Sequence, residues 1–148
     1  MNRMPADAPT VLRVRIEVPR GAFIKPAADG QGIDLISPVP APFNYGSVPG
    51  TTGPDGDPWD AVVLGPRLRR GIEVERQVVG YIDFVDGGAP DPKWICSSHR
   101  VRWHEKVLVT AFFEMYAKLK SARDLLTRRH PQSTVRGVFW ADRVQTLP

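Results

Sequence analysis

Three carboxylates lie within six residues in segment 55–60, whose sequence is DGDPWD. Side chains of like charge held this close repel one another, so a fold keeps them together only when a cation lies between them. The glycine and the proline of the segment favour a turn over a helix, and a turn lets Asp55, Asp57 and Asp60 converge on one point. Oxygen ligands without histidine or cysteine suit magnesium or manganese rather than zinc. The segment is therefore a candidate divalent-metal site.

Two other interpretations apply to a segment of this kind. One is a solvated acidic turn that precedes the apolar run 61–64 and needs no ligand. The other is a calcium-binding EF-hand loop. It fails because the sixth position counted from Asp55 is Asp60 rather than glycine, and the twelfth is Pro66 rather than glutamate. Spacing alone leaves the divalent-metal site and the solvated turn both open.

The composition indicates one globular domain over residues 1–148, with loose termini expected at 1–10 and 142–148. A net charge of +4 fits an anionic ligand, whether small or polymeric. The single cysteine, Cys96, excludes an internal disulfide. The sequence shows neither a signal peptide nor an apolar stretch long enough to span a bilayer, so we expect a cytoplasmic protein.

Short strands dominate the predicted secondary structure. Alternating or continuous apolar patterns indicate strands at 11–18, 32–36, 61–64, 72–84, 93–96 and 134–140. Between them, 37–53 is rich in proline and glycine and is expected to be a long functional loop. We expect helix only near the C-terminus.

An apolar stripe at helical spacing predicts a helix over 104–120, and a second short helix is expected over 121–129. The stripe consists of Leu108, Phe112, Met115 and Leu119. Several short strands and an amphipathic helix together predict a mainly β (α+β) fold, a small closed barrel with helix packed against it.

Residues 42–46, PFNYG, followed by the acidic turn, resemble the family I soluble inorganic pyrophosphatases, whose signature is N-Y-G and, about nine residues later, D-x-D-P-x-D. Further pieces follow in the family's order. They are residues 16–21 with Lys25, the D-x4-D-x-K spacing of Asp86, Asp91 and Lys93, and the segment 112–116. The match is collinear from about residue 15 to residue 140.

The resemblance implies a five-stranded OB-like β-barrel with one or two C-terminal α-helices, and magnesium-dependent hydrolysis of pyrophosphate, with manganese as a possible substitute for magnesium. It also implies metal ligands. Asp55, Asp60 and Asp91 would hold one metal, Asp60 would bridge to a second, and Asp86 with Asp91 would hold a metal that arrives with the substrate. Glu17 would serve an outer metal.

The same resemblance implies the residues that act on the substrate. Asp57 would be the base that receives the proton of the attacking water, and Tyr45 would assist catalysis while contacting phosphate. Lys25 and Tyr116 would contact phosphate oxygens, and Lys93 would lie beside the aspartates and bind substrate. Pyrophosphate is strongly anionic, so attack by hydroxide requires cations that neutralise it.

Several positions depart from the family pattern on the phosphate side. The family usually has an arginine before the N-Y-G loop, but residues 34–42 contain no basic residue. Tyr116 is followed by Ala117, where the family has lysine, and only then by Lys118. One residue on a helix is a rotation of about 100°, so Lys118 is a doubtful substitute.

These departures leave several functions open. One is a pyrophosphatase with full or reduced activity. The others are a hydrolase of another small phosphoanhydride and a metal-binding relative without activity. A protein of another class, a non-catalytic barrel that binds anions or nucleic acid, is the competing hypothesis. The sequence has no stripe of aromatic and basic residues to support nucleic-acid binding. Family resemblance further suggests a homo-oligomer.

Overall fold

The computed structural model describes residues 4–23, 39–54, 56–126 and 133–141, without the side chain of Asp124. Within these residues the chain forms seven strands and one helix. In chain order these are β1 (Val11–Val18), β2 (Asn44–Val48), β3 (Trp59–Val63), β4 (Glu73–Asp86), β5 (Ala89–Pro90), β6 (Lys93–Ser97), α1 (Trp103–Leu126) and β7 (Thr134–Trp140). The predicted strand at 32–36 lies outside the described residues.

Five strands form a closed ring in the order β1, β2, β3, β6, β4, because β4 also pairs with β1. The pairs are antiparallel except for β3 with β6, which is parallel. The long strand β4 extends past its pairing with β1 and pairs there with β7, and its last residues pair with β5. This arrangement confirms the predicted mainly β fold, with five ring strands and a helix against them.

Two apolar clusters lie on opposite faces of the ring. The first draws its buried residues from ring strands alone, including Val14 of β1 and Val63 of β3. The second includes Val62 and Ile95, whose side chains alternate with those of the first cluster, together with Phe112 and Phe113 of α1. The helix therefore packs on the outer face of the ring.

The helix is continuous through Leu126, so the predicted break at residue 121 is wrong within the described residues. No glycine or proline interrupts residues 103–126, and nothing there stops the backbone hydrogen-bonding pattern. The predicted stripe is confirmed in part, since Phe112 is buried and Met115 packs against the same cluster, but its first member is not buried. Leu108 is 49% exposed, whereas Val109 and Phe113 are 1% exposed, which shifts the buried face by one residue from the predicted Leu108. Among the described helices, none has the length and apolar character needed to cross a membrane.

The predicted loop 37–53 contains β2, so that part of the expectation is wrong. Two long-range features hold this strand in place. Gly46 lies so close to β1 that any Cβ there would overlap the backbone carbonyl of Arg15. Asn44 is fully buried and binds the backbone of residues outside its own strand. The composition of the segment does not show these contacts.

Candidate active site

The predicted site side chains of β3, β4 and β6 lie on the outer face of the ring, at the edge of the apolar cluster that packs against α1. Strand alternation sets this position. Asp60 shares its face of β3 with Val62, and Lys93 shares its face of β6 with Ile95. Asp86 lies two residues after the buried Phe84 on β4. Neighbouring strands therefore bring charged groups together where their apolar face ends.

Lys93 is the centre of this group. Its Nζ lies 3.0 Å from Asp60 Oδ2 and 3.0 Å from Asp91 Oδ2. It also lies 5.2 Å from the centre of the Phe84 ring. The residue is 3% exposed, and a lysine is rarely buried to that extent without ionic partners. Lys93 therefore holds two carboxylates together that would otherwise repel each other.

Electrostatics in this pair of contacts follow from burial and charge. Burial would lower the pKa of Lys93, but the carboxylates of Asp60 and Asp91 outweigh it and raise the pKa above its ordinary value. Burial raises the pKa of Asp91, Lys93 opposes the shift, and the charge of Asp60 adds to it, so the net pKa of Asp91 is raised. One ammonium thus compensates the two carboxylates only in part, and this position favours a further cation.

Tyr45 joins the group from β2. The centre of its ring lies 5.8 Å from Lys93 Nζ. Burial, followed by the charges of Asp60 and Asp91, raises the pKa of Tyr45 well above its ordinary value. The phenol therefore stays protonated at neutral pH and serves as a hydrogen-bond donor.

Asn44 fixes the position of Tyr45, a role that the motif alone does not reveal. Its Oδ1 accepts hydrogen bonds from the backbone N–H groups of Arg20 and Leu68, at 2.9 and 2.8 Å. Its Nδ2 donates to the carbonyls of Val63 and Pro66, at 3.3 and 2.9 Å. The amide thus ties the start of β2 to three other segments, and the next residue points into the site.

A second ion pair lies beside the first. Lys120 Nζ is 2.6 Å from Asp86 Oδ2, and Ser133 Oγ donates to Asp86 Oδ1 at 3.2 Å. Burial would raise the pKa of Asp86, but the hydrogen bonds and charge of Lys120, together with Ser133, lower it below its ordinary value. Sequence reasoning missed Lys120 and Ser133. For Lys120 a signal existed, since it follows Tyr116 by four residues on a predicted helix.

Tyr116 lies on the buried face of α1, between the apolar cluster and the charged group. Its ring centre lies 6.4 Å from that of Phe84 and 5.5 Å from Lys120 Nζ. Burial raises the pKa of Tyr116 to about 12 despite the opposing charge of Lys93, so this phenol is also protonated at neutral pH. The structure thus places Tyr116 next to the site, while 6% of the residue remains exposed.

The other predicted site residues are more peripheral. Glu17 is exposed on β1 and accepts a hydrogen bond from Ser47 Oγ at 3.0 Å. Ser47 lies opposite Asp60 in the pairing of β2 with β3, so it links Glu17 to the site. Asp57 is exposed in the turn before β3, where its carbonyl accepts a hydrogen bond from the Gly53 N–H at 2.7 Å. Lys25 and Asp55 lie outside the described residues.

The carboxylates fit a hard divalent metal in their chemistry. Asp60, Asp86 and Asp91 offer oxygen donors only, which is the ligand type that magnesium and manganese prefer. Among the described residues, which leave out Asp55, no three histidine, cysteine or acidic side chains are close enough together to hold an ion.

A cleft of about 1110 Å³ lies beside the N-terminal end of α1 and contains none of the predicted site residues. His99 lies in its wall, with ring nitrogens 3.1 Å from Ser97 Oγ and 2.9 Å from Glu105 Oε2. Glu105 also accepts a hydrogen bond from the Arg102 N–H at 3.0 Å, which caps the start of the helix. These contacts give the histidine a structural role.

Comparison with solved structures places this fold among known enzymes. The chain is similar to the inorganic pyrophosphatase of Helicobacter pylori, with a TM-score of 0.63 and 26% identity, over 90% of this chain and 86% of that one. It also shares its fold with the inorganic pyrophosphatase of Thermus thermophilus, with a TM-score of 0.62 and 23% identity, over 94% of this chain and 88% of that one.

Sequence comparisons agree. The family model described as inorganic pyrophosphatase matches residues 14–130. The inorganic pyrophosphatase of Gluconobacter oxydans is 29% identical over 94% of this chain and 87% of its own length. That of a Synechocystis strain is 30% identical over 87% of this chain and 74% of its own. The chain therefore belongs to family I of the inorganic pyrophosphatases.

Proposed function

We propose that this protein hydrolyses inorganic pyrophosphate to two phosphates in a magnesium-dependent reaction. Its family implies a hydrolase with a divalent metal cofactor. The observation that carries the proposal is the Lys93 ammonium, 3.0 Å from both Asp60 and Asp91, with the centre of the Tyr45 ring 5.8 Å from the same ammonium. The arrangement combines carboxylates that can bind metal ions with an ammonium group and a phenol that can bind the oxygens of a strongly anionic substrate.

Each residue has a distinct task in this proposal. Asp55, Asp60, Asp86 and Asp91 would hold magnesium, with Glu17 near an outer ion. When bound, magnesium neutralises charge on pyrophosphate and lowers the pKa of an attacking water. Asp57, which is exposed in the turn before β3, would accept that water's proton.

The substrate-binding side consists of phenols and ammonium groups. Tyr45 and Tyr116 are protonated at neutral pH, so they can donate hydrogen bonds to phosphate oxygens. Lys93 keeps its positive charge and orients Asp60 and Asp91. Lys25, outside the described residues, would contact phosphate as well.

Phosphate release from pyrophosphate tests the proposal. We expect release that requires magnesium, stops with EDTA, and falls at least about 100-fold in Asp57→Asn, because the proton acceptor is lost. Asp83→Asn is the matched control. It removes the same charge from β4 on the opposite side to Asp86, where its partner is Arg136 at 3.9 Å. Release by the wild type no faster than in an enzyme-free magnesium solution would contradict the proposal.

The same assay should include other small phosphoanhydrides and manganese. Pyrophosphate should be the best substrate, because the family model and the relatives that the chain matches are inorganic pyrophosphatases. A nucleoside triphosphate hydrolysed faster than pyrophosphate would instead assign the protein to another substrate class.

The proposal extends to the protein's setting. We propose one domain over residues 1–148, a cytoplasmic location, and a homo-oligomer that binds no nucleic acid. Family membership supports the oligomer, and light scattering on the purified protein measures it directly. Absence of salt-sensitive binding to single-stranded DNA would support the last point, because nucleic-acid binding by a basic protein weakens with salt.

A further inference from the structure

Lys120 is a buried cation that the proposed roles above leave unused. The residue is 6% exposed, and its Nζ lies 2.6 Å from Asp86 Oδ2 and 5.5 Å from the centre of the Tyr116 ring. A lysine on a helix surface can reach water at little cost, whereas burial of its charge requires partners. The fold therefore keeps this ammonium at the site.

Its position on the helix explains how it reaches the site. Lys120 follows Tyr116 by four residues, so the two side chains lie on the same face of α1, one turn apart. Lys118, the sequence candidate for a replacement cation, is exposed. The cation that the family pattern leads one to expect after Tyr116 is thus absent at Ala117 but present one turn along the helix.

The two buried lysines differ in how firmly they are held. Lys93 contacts two carboxylates, whereas Lys120 contacts one among the described residues. Asp86 in turn receives a hydrogen bond from Ser133, which keeps its carboxylate in place independently of Lys120. A divalent cation bound at Asp86 would compete with the ammonium for the same oxygen and leave Lys120 free to bind an anion.

We propose that Lys120 is a phosphate-binding residue. In the metal-free protein it forms an ion pair with Asp86, and it becomes free to bind phosphate when a divalent metal binds the Asp86 carboxylate. This inference rests on the proposed function. It predicts effects of opposite sign. Loss of the Lys120 charge removes a competitor of the metal, so the metal alone should bind more tightly, while phosphate in the presence of metal should bind more weakly.

Calorimetric titration of the full chain tests both effects. We expect Lys120→Met to bind Mn²⁺ alone about 3- to 10-fold more tightly than the wild type. With saturating Mg²⁺ it should bind inorganic phosphate about 10- to 100-fold more weakly, which corresponds to one charge-assisted hydrogen bond. Lys120→Arg should restore phosphate binding, and Lys118→Met, the matched control, should match the wild type in both titrations.

Other outcomes would overturn the inference. One is a phosphate affinity of Lys120→Met within twofold of that of the wild type. The other is weaker binding of both Mn²⁺ and phosphate by a Lys120→Met protein with wild-type circular dichroism, because that result would mean that the ion pair is only structural. If Lys120→Met does not fold, Lys120→Gln keeps a hydrogen-bond donor without the charge and makes the same comparison. Wild-type turnover, measured in parallel, separates the two proposals, since the titrations require no hydrolysis.

Discussion

Asp60 and Lys93 lie opposite each other in the parallel pairing of β3 with β6, and Lys93 Nζ lies 3.0 Å from Asp60 Oδ2. The contact joins residues 33 positions apart in the chain, and the backbone register fixes it. The position of the ion pair is therefore set by the pairing of the two strands, unlike that of a contact between flexible surface side chains. Its removal should affect both stability and metal binding.

We expect Lys93→Met to lower the free energy of unfolding by about 3 kcal/mol without metal, because Asp60 and Asp91 then lose the charge between them. Magnesium should restore part of the loss, since it supplies positive charge at the same place. Urea unfolding with and without magnesium measures both effects, with Lys118→Met as the exposed control. An equal loss in both conditions would contradict this explanation.

Phe113 should anchor α1 and, with it, Tyr116 and Lys120. Its ring stacks on Phe43 with centres 5.5 Å apart, and the residue is 1% exposed. Phe113→Ala should cost about 3–5 kcal/mol of unfolding free energy. Leu108→Ala, on the same helix but 49% exposed, should cost less than about 1 kcal/mol. Similar losses in urea unfolding of the two variants would show that the helix buries a different face.

Gly46→Ala should destabilise the protein by at least about 2 kcal/mol, because its Cβ would overlap the carbonyl oxygen of Arg15 on β1. Relief of the overlap requires β1 and β2 to separate next to Tyr45. Ser47→Ala, one residue along, loses only the hydrogen bond to Glu17 and should cost about 0.5–1 kcal/mol. Urea unfolding of the pair checks this, and a Gly46→Ala protein as stable as the wild type would refute the close approach.

Glu105 should contribute to stability in a pH-dependent way. Burial would raise the pKa of Glu105, but hydrogen bonds from the Arg102 N–H and His99 lower it below its ordinary value. A carboxyl whose pKa is lowered in the folded state stabilises that state above its unfolded pKa, and the contribution disappears as the pH falls through the folded pKa.

Glu105→Gln should therefore cost about 1 kcal/mol at pH 7, and the difference from the wild type should shrink as the pH falls below about 4. Urea unfolding at several pH values measures it. Glu114→Gln is the control, an exposed position on the same helix. A difference that stays constant down to pH 3 would mean that the carboxylate charge is not what stabilises the helix start.

The sequence predicted most strands because their patterns are local. β7 was predicted with the bounds that the structure shows, and β1 alternates buried and exposed residues throughout. β2 was not predicted, since Asn44 and Gly46 have low strand propensity and gain their place from contacts with distant segments. Strand propensity depends on the residue type, whereas the position of β2 depends on contacts with segments that are distant in the chain.

The site shows the same division. The family motif identified Asp60, Asp91 and Lys93, which the structure brings together. The motif did not identify Lys120, because its role depends on which face of α1 packs against the ring, and the apolar stripe favoured a face that included Leu108. Because the predicted stripe included Leu108, which is exposed, the helix face that buries Lys120 was not predicted.

The strand order has a consequence for the electrostatics of the site. β3, with Asp60, and β4, with Asp86, are not direct neighbours in the described sheet, because β6 lies between them. The strand that brings the two carboxylates into one site is therefore the strand that carries Lys93. In the folded sheet the two carboxylates are thus separated by the strand that supplies a positive charge, so their mutual repulsion is weaker than it would be on directly paired strands.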